Sequence, residues 1–138
     1  MYKFYNKLNN DIKHIREEVF VKEQKFADEF DDVDQNCIHL LYFYENIPVG
    51  TARIFNSEEN FEEYHIGRVA ILKDYRKFGL GKKIILAVEE KAKELGAKKL
   101  VLSAQKPVEE FYKKCGYISV GEEYFDQWCP HIDMEKEI

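Results

Sequence analysis

The chain has no excess of positive charge, no long apolar run and no paired-cysteine motif. Twenty-one lysines and arginines stand against 26 acids among 138 residues, a formal net charge of −5. A general nucleic-acid binder needs a net basic face to displace counterions, so this balance weighs against that class. No apolar stretch approaches the roughly 20 residues of a membrane-spanning helix. The opening segment MYKFYNKLNNDIKHIREE is too charged for a secretory signal. The three cysteines, Cys37, Cys115 and Cys129, form no CxxC and no disulfide framework. These absences predict a cytoplasmic protein in a reducing compartment, with neither nucleic acid nor membrane as partner. No repeat or low-complexity linker divides the chain, which predicts one domain over residues 1–138.

What is present is a core. Apolar residues make up 45% of the chain and aromatics 14%, which excludes disorder and suffices without staples. MYKFYN reads as a short first strand. Asn10 or Asp11 can cap a helix whose Ile12, Ile15 and Val19 share one face, with a further helical segment near residue 22. EFDDVDQN reads as a solvated acidic loop. CIHLLYFYE and VGTARIF, separated by Asn46 and Pro48, read as a hairpin. SEENFEEY is an acidic connector with room for one helical turn. HIGRVAIL is a strand. Leu80, Ile84, Val88 and Leu95, with Ala92 beside them, mark one face of a helix that Gly96 closes. KKLVLSA reads as a central strand. Pro107 opens a helix whose inner face is Val108, Phe111 and Cys115, leaving Tyr112 one position off that face. YISVGEEYF and HIDMEKEI are closing strands. The order β-α-β-β-β-α-β-α-β-β predicts a mixed α/β domain.

The octapeptide RKFGLGKK, Arg76 to Lys83, puts two glycines and four cations between a strand and a helix. The first N–H groups of a helix lack internal partners, and aligned peptide dipoles add positive charge there. Gly79 and Gly81 remove side chains, so a phosphate can approach the backbone. The plain alternative is a β-to-α turn with surface lysines. A P-loop needs GxxxxGK[ST], which is missing. A dinucleotide fingerprint needs a third glycine, and position 84 is Ile.

The spacing Arg76-x-x-Gly79-x-Gly81 after VAILKDY resembles instead the acyl-coenzyme A signature of the GCN5-related N-acetyltransferases. GRVAILKDYRKFGLGKKIILAVEEKAKELGAKKLVLSAQKPVEEFYKKCGY is similar to that family's central strand-helix-strand-helix from end to end. FYKKCGY matches its FY-x-x-x-G-[FY] element. VFVKEQ and PHIDM point to its small bacterial ElaA-like members. The resemblance implies a mixed, mostly antiparallel sheet flanked by helices, with splayed central parallel strands. It implies acetyl transfer from acetyl-coenzyme A, a cosubstrate, to a primary amine of a small molecule or peptide, without an acyl-enzyme. Ala70, Ile71 and Leu72 would hold the pantetheine arm as a false strand. The pyrophosphate would lie on the N–H groups of Lys77, Phe78, Gly79, Leu80, Gly81 and Lys82, with the Arg76 and Lys82 side chains nearby. Gln105 stands where the family often has Asn, and Phe111 lies close by on the following helix.

For the chemistry, the resemblance points to Tyr112 as the acid that protonates the departing thiolate. The alternative is a packed tyrosine. His131 is a candidate base, or a histidine capping a strand. Glu23 and His39 are further candidates near the acceptor, while Arg53 and Arg68 could bind a substrate carboxylate. The acidic loop could attract a cationic amine. It does not fit a calcium loop, because Cys37 replaces the central Gly and Phe43 stands at the twelfth position. Two Cys-x-His pairs, Cys37/His39 and Cys129/His131, lack usual zinc spacing, so no metal is expected. Two rival readings stay open. One is a coenzyme A-binding module without catalysis, the other a nucleotide- or RNA-binding α/β protein. Oligomeric state is also open, a homodimer being one arrangement.

Overall fold

A computed structural model describes residues 1–138. The strands are β1 (Tyr2–Tyr5), β2 (Ile38–Tyr44), β3 (Ile47–Asn56), β4 (Glu63–Ile71), β5 (Lys99–Gln105), β6 (Ile118–Asp126) and β7 (Cys129–Glu137). The helices are α1 (Asn10–Arg16), α2 (Leu80–Glu94) and α3 (Glu109–Lys114). The order matches the sequence pattern. One seven-stranded sheet runs β1-β2-β3-β4-β5-β7-β6, antiparallel except where β4 meets β5. Strand alternation sends Leu40 to one face and Leu41 to the other. The first face packs on α2 in a large cluster with Ile84, Val88, Leu100 and Met134. The second packs on α1 through Ile12 and Ile15, and on the segment that follows it through Val19 and Phe20.

Several local expectations are corrected. Asn9, not Asn10 or Asp11, caps α1, its Oδ1 accepting from the Ile12 N–H at 2.9 Å. The helical segment near residue 22 is no separate helix. It continues α1 in wider π-type turns over Glu17–Glu23. The SEENFEEY connector forms a bend and one tight turn, Glu63 N–H donating to the Asn60 carbonyl at 3.1 Å, and then enters β4, with no helix. Leu95 lies beyond α2 and is exposed, while Ile85 and Ala87 are buried in its place. In α3 Phe111 and Cys115 pack on the core as expected, but Tyr112 is buried beside them rather than at the edge, and Val108 is exposed at the cavity.

The acidic loop is not merely solvated. Asp32–Gln35 forms a 3-10 turn, and Glu29 and Asp34 are buried. Asp34 accepts from Arg16 Nη1 at 2.7 Å and from Arg53 Nη1 at 2.9 Å. Arg53 also donates to Asp31 at 2.7 Å, and Arg68 Nε pairs with Glu29 at 2.6 Å. Burial pushes the Asp34 carboxyl up, but hydrogen bonds from Arg16, the Asp31 backbone and Arg53 outweigh it and bring it to about 2. Three arginines and three carboxylates thus tie the loop to α1, β3 and β4.

Candidate active site

Strands β4 and β5 pair only from Glu63↔Lys99 to Ile66↔Leu102. Beyond Ile66, β4 stays with β3 and β5 stays with β7, so the sheet parts. The cause is local. Arg68 has φ +52, a left-handed value that a non-glycine residue adopts at a cost, and the register with β3 shifts there. The pairing of Arg68 with Glu29 and Asp31 holds this bulge. The parting opens into a cavity of about 700 Å³.

Of the residues expected to hold the cosubstrate, Ala70, Ile71, Arg76, Gly79, Gly81, Lys82, Gln105 and Phe111 line this cavity. Leu72, Lys77, Phe78 and Leu80 do not. Leu72 packs beneath α1, and its N–H is taken by the Val49 carbonyl at 2.9 Å. Phe78 stacks on Tyr44 with Lys77 over its ring, and Leu80 is buried in the core. The side chains of Leu72, Phe78 and Leu80 are thus directed away from the slot; the expectation for Lys77, Phe78 and Leu80 concerns their backbone N–H groups. Gly79 has φ +69 with nothing within 4 Å of a built Cβ, so the approach to the helix mouth is open. Gly81 is needed for a different reason: a Cβ there would stand 3.0 Å from Phe111 Cζ.

Arg76 is engaged. Its Nη1 and Nη2 each donate to Glu23 at 2.6 Å, and its Nε donates to the Ile71 carbonyl at 2.9 Å. Glu23 is therefore no free base; the hydrogen bonds from Arg76 hold its carboxyl below the usual range. The next residue, Gln24, accepts from Gln105 Nε2 at 2.8 Å. Farther along, Ala27 exchanges two hydrogen bonds with the Gln127 side chain, at 2.9 and 2.7 Å, and Phe26 stacks on Trp128. The segment 23–27 is thus strapped across the slot from the α2 bank to the β6–β7 turn. Sequence reading missed Gln24 and Gln127, although VFVKEQ carried the first.

Tyr112 and His131 both line the cavity. Tyr112 is buried, and burial, with Cys115 adding to it, pushes its phenol up and keeps it protonated. His131 Nδ1 lies 2.9 Å from the Cys129 carbonyl, which can only accept, so Nδ1 carries a proton and Nε2 is the nitrogen left to face a ligand.

The remaining acceptor-side candidates are placed elsewhere. His39 is fully buried away from the cavity, its Nε2 3.1 Å from the Asp34 carbonyl, and burial lowers its pKa. Arg53 is consumed by Asp31 and Asp34. Arg68 does line the cavity, with its guanidinium committed to Glu29 and Asp31. Asp34, Cys37 and His39 converge within 4.8 Å. Two guanidinium groups already occupy Asp34, and burial pushes the Cys37 thiol up to about 11, so the trio is poorly suited to a cation.

A mixed sheet that parts between its parallel strands, beside a glycine turn at a helix mouth, defines the acyl-coenzyme A N-acyltransferase fold. The chain belongs to the acetyltransferase (GNAT) domain family, whose model matches residues 8–138. It is 35% identical over 130 residues to the uncharacterized N-acetyltransferase YjcF of Bacillus subtilis, covering 92% of this chain and 91% of that one. It is 31% identical over 131 residues to protein ElaA of Escherichia coli, covering 92% and 86%. The crystal structure of Escherichia coli ElaA matches with TM-score 0.85 and 28% identity over 99% and 100% of the chains. A Bacillus subtilis acetyltransferase crystallised in complex with CoA shares the fold, with TM-score 0.76 and 16% identity over 99% and 97%. No helix is long and apolar enough to cross a membrane.

Proposed function

We propose that the protein transfers the acetyl group of acetyl-coenzyme A to a primary amine of a small molecule or peptide, by direct attack in a ternary complex. The observation that carries this is that Tyr112 and His131, its Nε2 unengaged by the Cys129 bond, line one slot at the parting of β4 and β5. The family and the CoA complex of a fold neighbour support the choice of cosubstrate.

The residues fit that group. Gly79 leaves the helix mouth open, the first turn of α2 supplies N–H donors, and Lys82 and Arg76 supply charge. Past Ile66, the β5-facing backbone edge of β4 is free to pair with an extended amide-bearing arm. At the parting, the amine lone pair attacks the thioester carbonyl. The N–C bond forms, the C–S bond breaks, the amine proton passes to His131 Nε2, and Tyr112 gives its proton to sulfur. Solvent exchange resets both groups. A Tyr112 buried away from the slot would favour the non-catalytic alternative, and here it lines the slot.

The test is turnover of acetyl-coenzyme A over a panel of primary amines, read as free thiol, alongside calorimetric titration with coenzyme A. Amine-dependent thiol release supports the reading. Coenzyme A binding without release for any amine refutes it, and absence of coenzyme A binding refutes the cosubstrate as well.

A further inference from the structure

Strands β5, β7 and β6 bring three polar side chains to one face of the sheet, at the edge of the slot. Ser103 pairs in register with Asp133, and Tyr124 pairs with His131. Tyr124 therefore reaches diagonally over β7. Its hydroxyl donates to Asp133 Oδ1 at 2.6 Å and lies in short hydrogen-bond contact with Ser103 Oγ. A phenol has one proton, and here it points at the carboxylate. The Ser103 proton must then point at the Tyr124 oxygen. Burial and the bond to Asp133 both push the Tyr124 phenol up, so the chain keeps this direction. Ser103 itself is exposed and lines the cavity, while Tyr124, also exposed, does not line it.

The consequence is that Ser103 Oγ can only accept from the slot. Its donor is spent, and its remaining lone pairs are what it presents to a ligand. His131, whose Nε2 is the other candidate acceptor, is the diagonal neighbour of Ser103 on the adjoining β7, the two backbone positions standing about 7 Å apart. An amine nitrogen set between them has an acceptor for each of two N–H groups, which leaves its lone pair free to turn toward the thioester.

We propose that Ser103 is the hydrogen-bond acceptor that orients the attacking amine, and that Tyr124 and Asp133 are positioning residues that fix its polarity. The inference rests on the acyl-transfer reading above. The side-chain hydrogen bonds of these three residues run among themselves and not to the octapeptide or the FYKKCGY element, so they form a unit of their own beside the cosubstrate cradle.

The experiment is a double-mutant cycle with Ser103→Ala, Tyr124→Phe and the double variant. It uses acetyl-coenzyme A with n-propylamine and benzylamine as acceptor probes, plus the best acceptor of the panel. Loss of one oriented hydrogen bond corresponds to about a tenfold fall in kcat/KM for the amine. Each single variant should show that fall, with KM for acetyl-coenzyme A within about twofold of wild type. The double variant should be no worse than either single one, because both remove the same interaction. Wild-type amine kinetics in Tyr124→Phe, or fully additive losses in the double variant, overturn the inference while acyl transfer stands. Wild-type protein that binds coenzyme A but acetylates no amine refutes acyl transfer itself, and this inference falls with it.

Discussion

Replacing Glu23 by Gln should make coenzyme A bind more tightly. In the present structure Glu23 holds both terminal nitrogens of Arg76 at 2.6 Å, so an incoming diphosphate competes with a carboxylate for the same guanidinium. Two unit charges about 4 Å apart interact by about 1 kcal/mol in bulk water and about 4 kcal/mol near a protein surface. The two side chains are 38% and 35% exposed, which puts this pair toward the weaker limit. Exposed pairs contribute about 0.2–1 kcal/mol, and the bidentate geometry favours the upper end. Gln keeps the shape and removes the charge, so up to about 1 kcal/mol of competition disappears, about fivefold in Kd. The assay is calorimetric titration of wild type and Glu23→Gln with coenzyme A and with pantetheine, which lacks the diphosphate. Only coenzyme A should gain, and the gain should shrink as salt rises, since screening acts over about 8 Å at physiological ionic strength. An unchanged or weaker coenzyme A affinity, or an equal effect on pantetheine, would show that Arg76 serves only to pin α1 to the turn before α2.

Tyr112→Phe should lower turnover by about 10²–10⁴-fold with little change in coenzyme A affinity, measured by steady-state kinetics and titration; weakened binding with intact turnover would assign the hydroxyl to binding. Asp34→Asn leaves the buried Arg16 and Arg53 short of a charge, and should destabilise the fold by about 3–5 kcal/mol in urea unfolding. The same carboxyl, at about 2 against an ordinary 3.8, contributes about 2.5 kcal/mol that is present above pH 4 and lost as pH falls toward 2. The Asn variant should lack that part of the acid dependence. Gly79→Ala should lose about 1 kcal/mol through its left-handed backbone alone, and Gly81→Val about 1–3 kcal/mol by crowding Phe111, both read as shifts in the urea midpoint.

The sequence by itself determined the strands and main helices, their order and the glycine turn at the mouth of α2. These depend on local patterns: alternation in β2 and β3, the 3.6-residue face of α2, and glycines at the mouth of a helix. Even the local rules slipped where several residues satisfy them. Asn9, Asn10 and Asp11 are all good caps, and only the observed bond to Ile12 selects Asn9. Val108 falls off the face that Phe111 and Cys115 keep, because it belongs to the 3-10 turn Lys106–Val108, which advances three residues per turn. The acidic loop read as solvated because its partners are distant in the chain: Arg16 lies 18 residues from Asp34, and Arg68 lies 39 from Glu29. Arg76 read as a free cation because Glu23 is 53 residues away. A carboxylate in water and one held between buried guanidinium groups are the same letter in the sequence. Burial and pairing across the sheet separate them, and only the tertiary structure decides those.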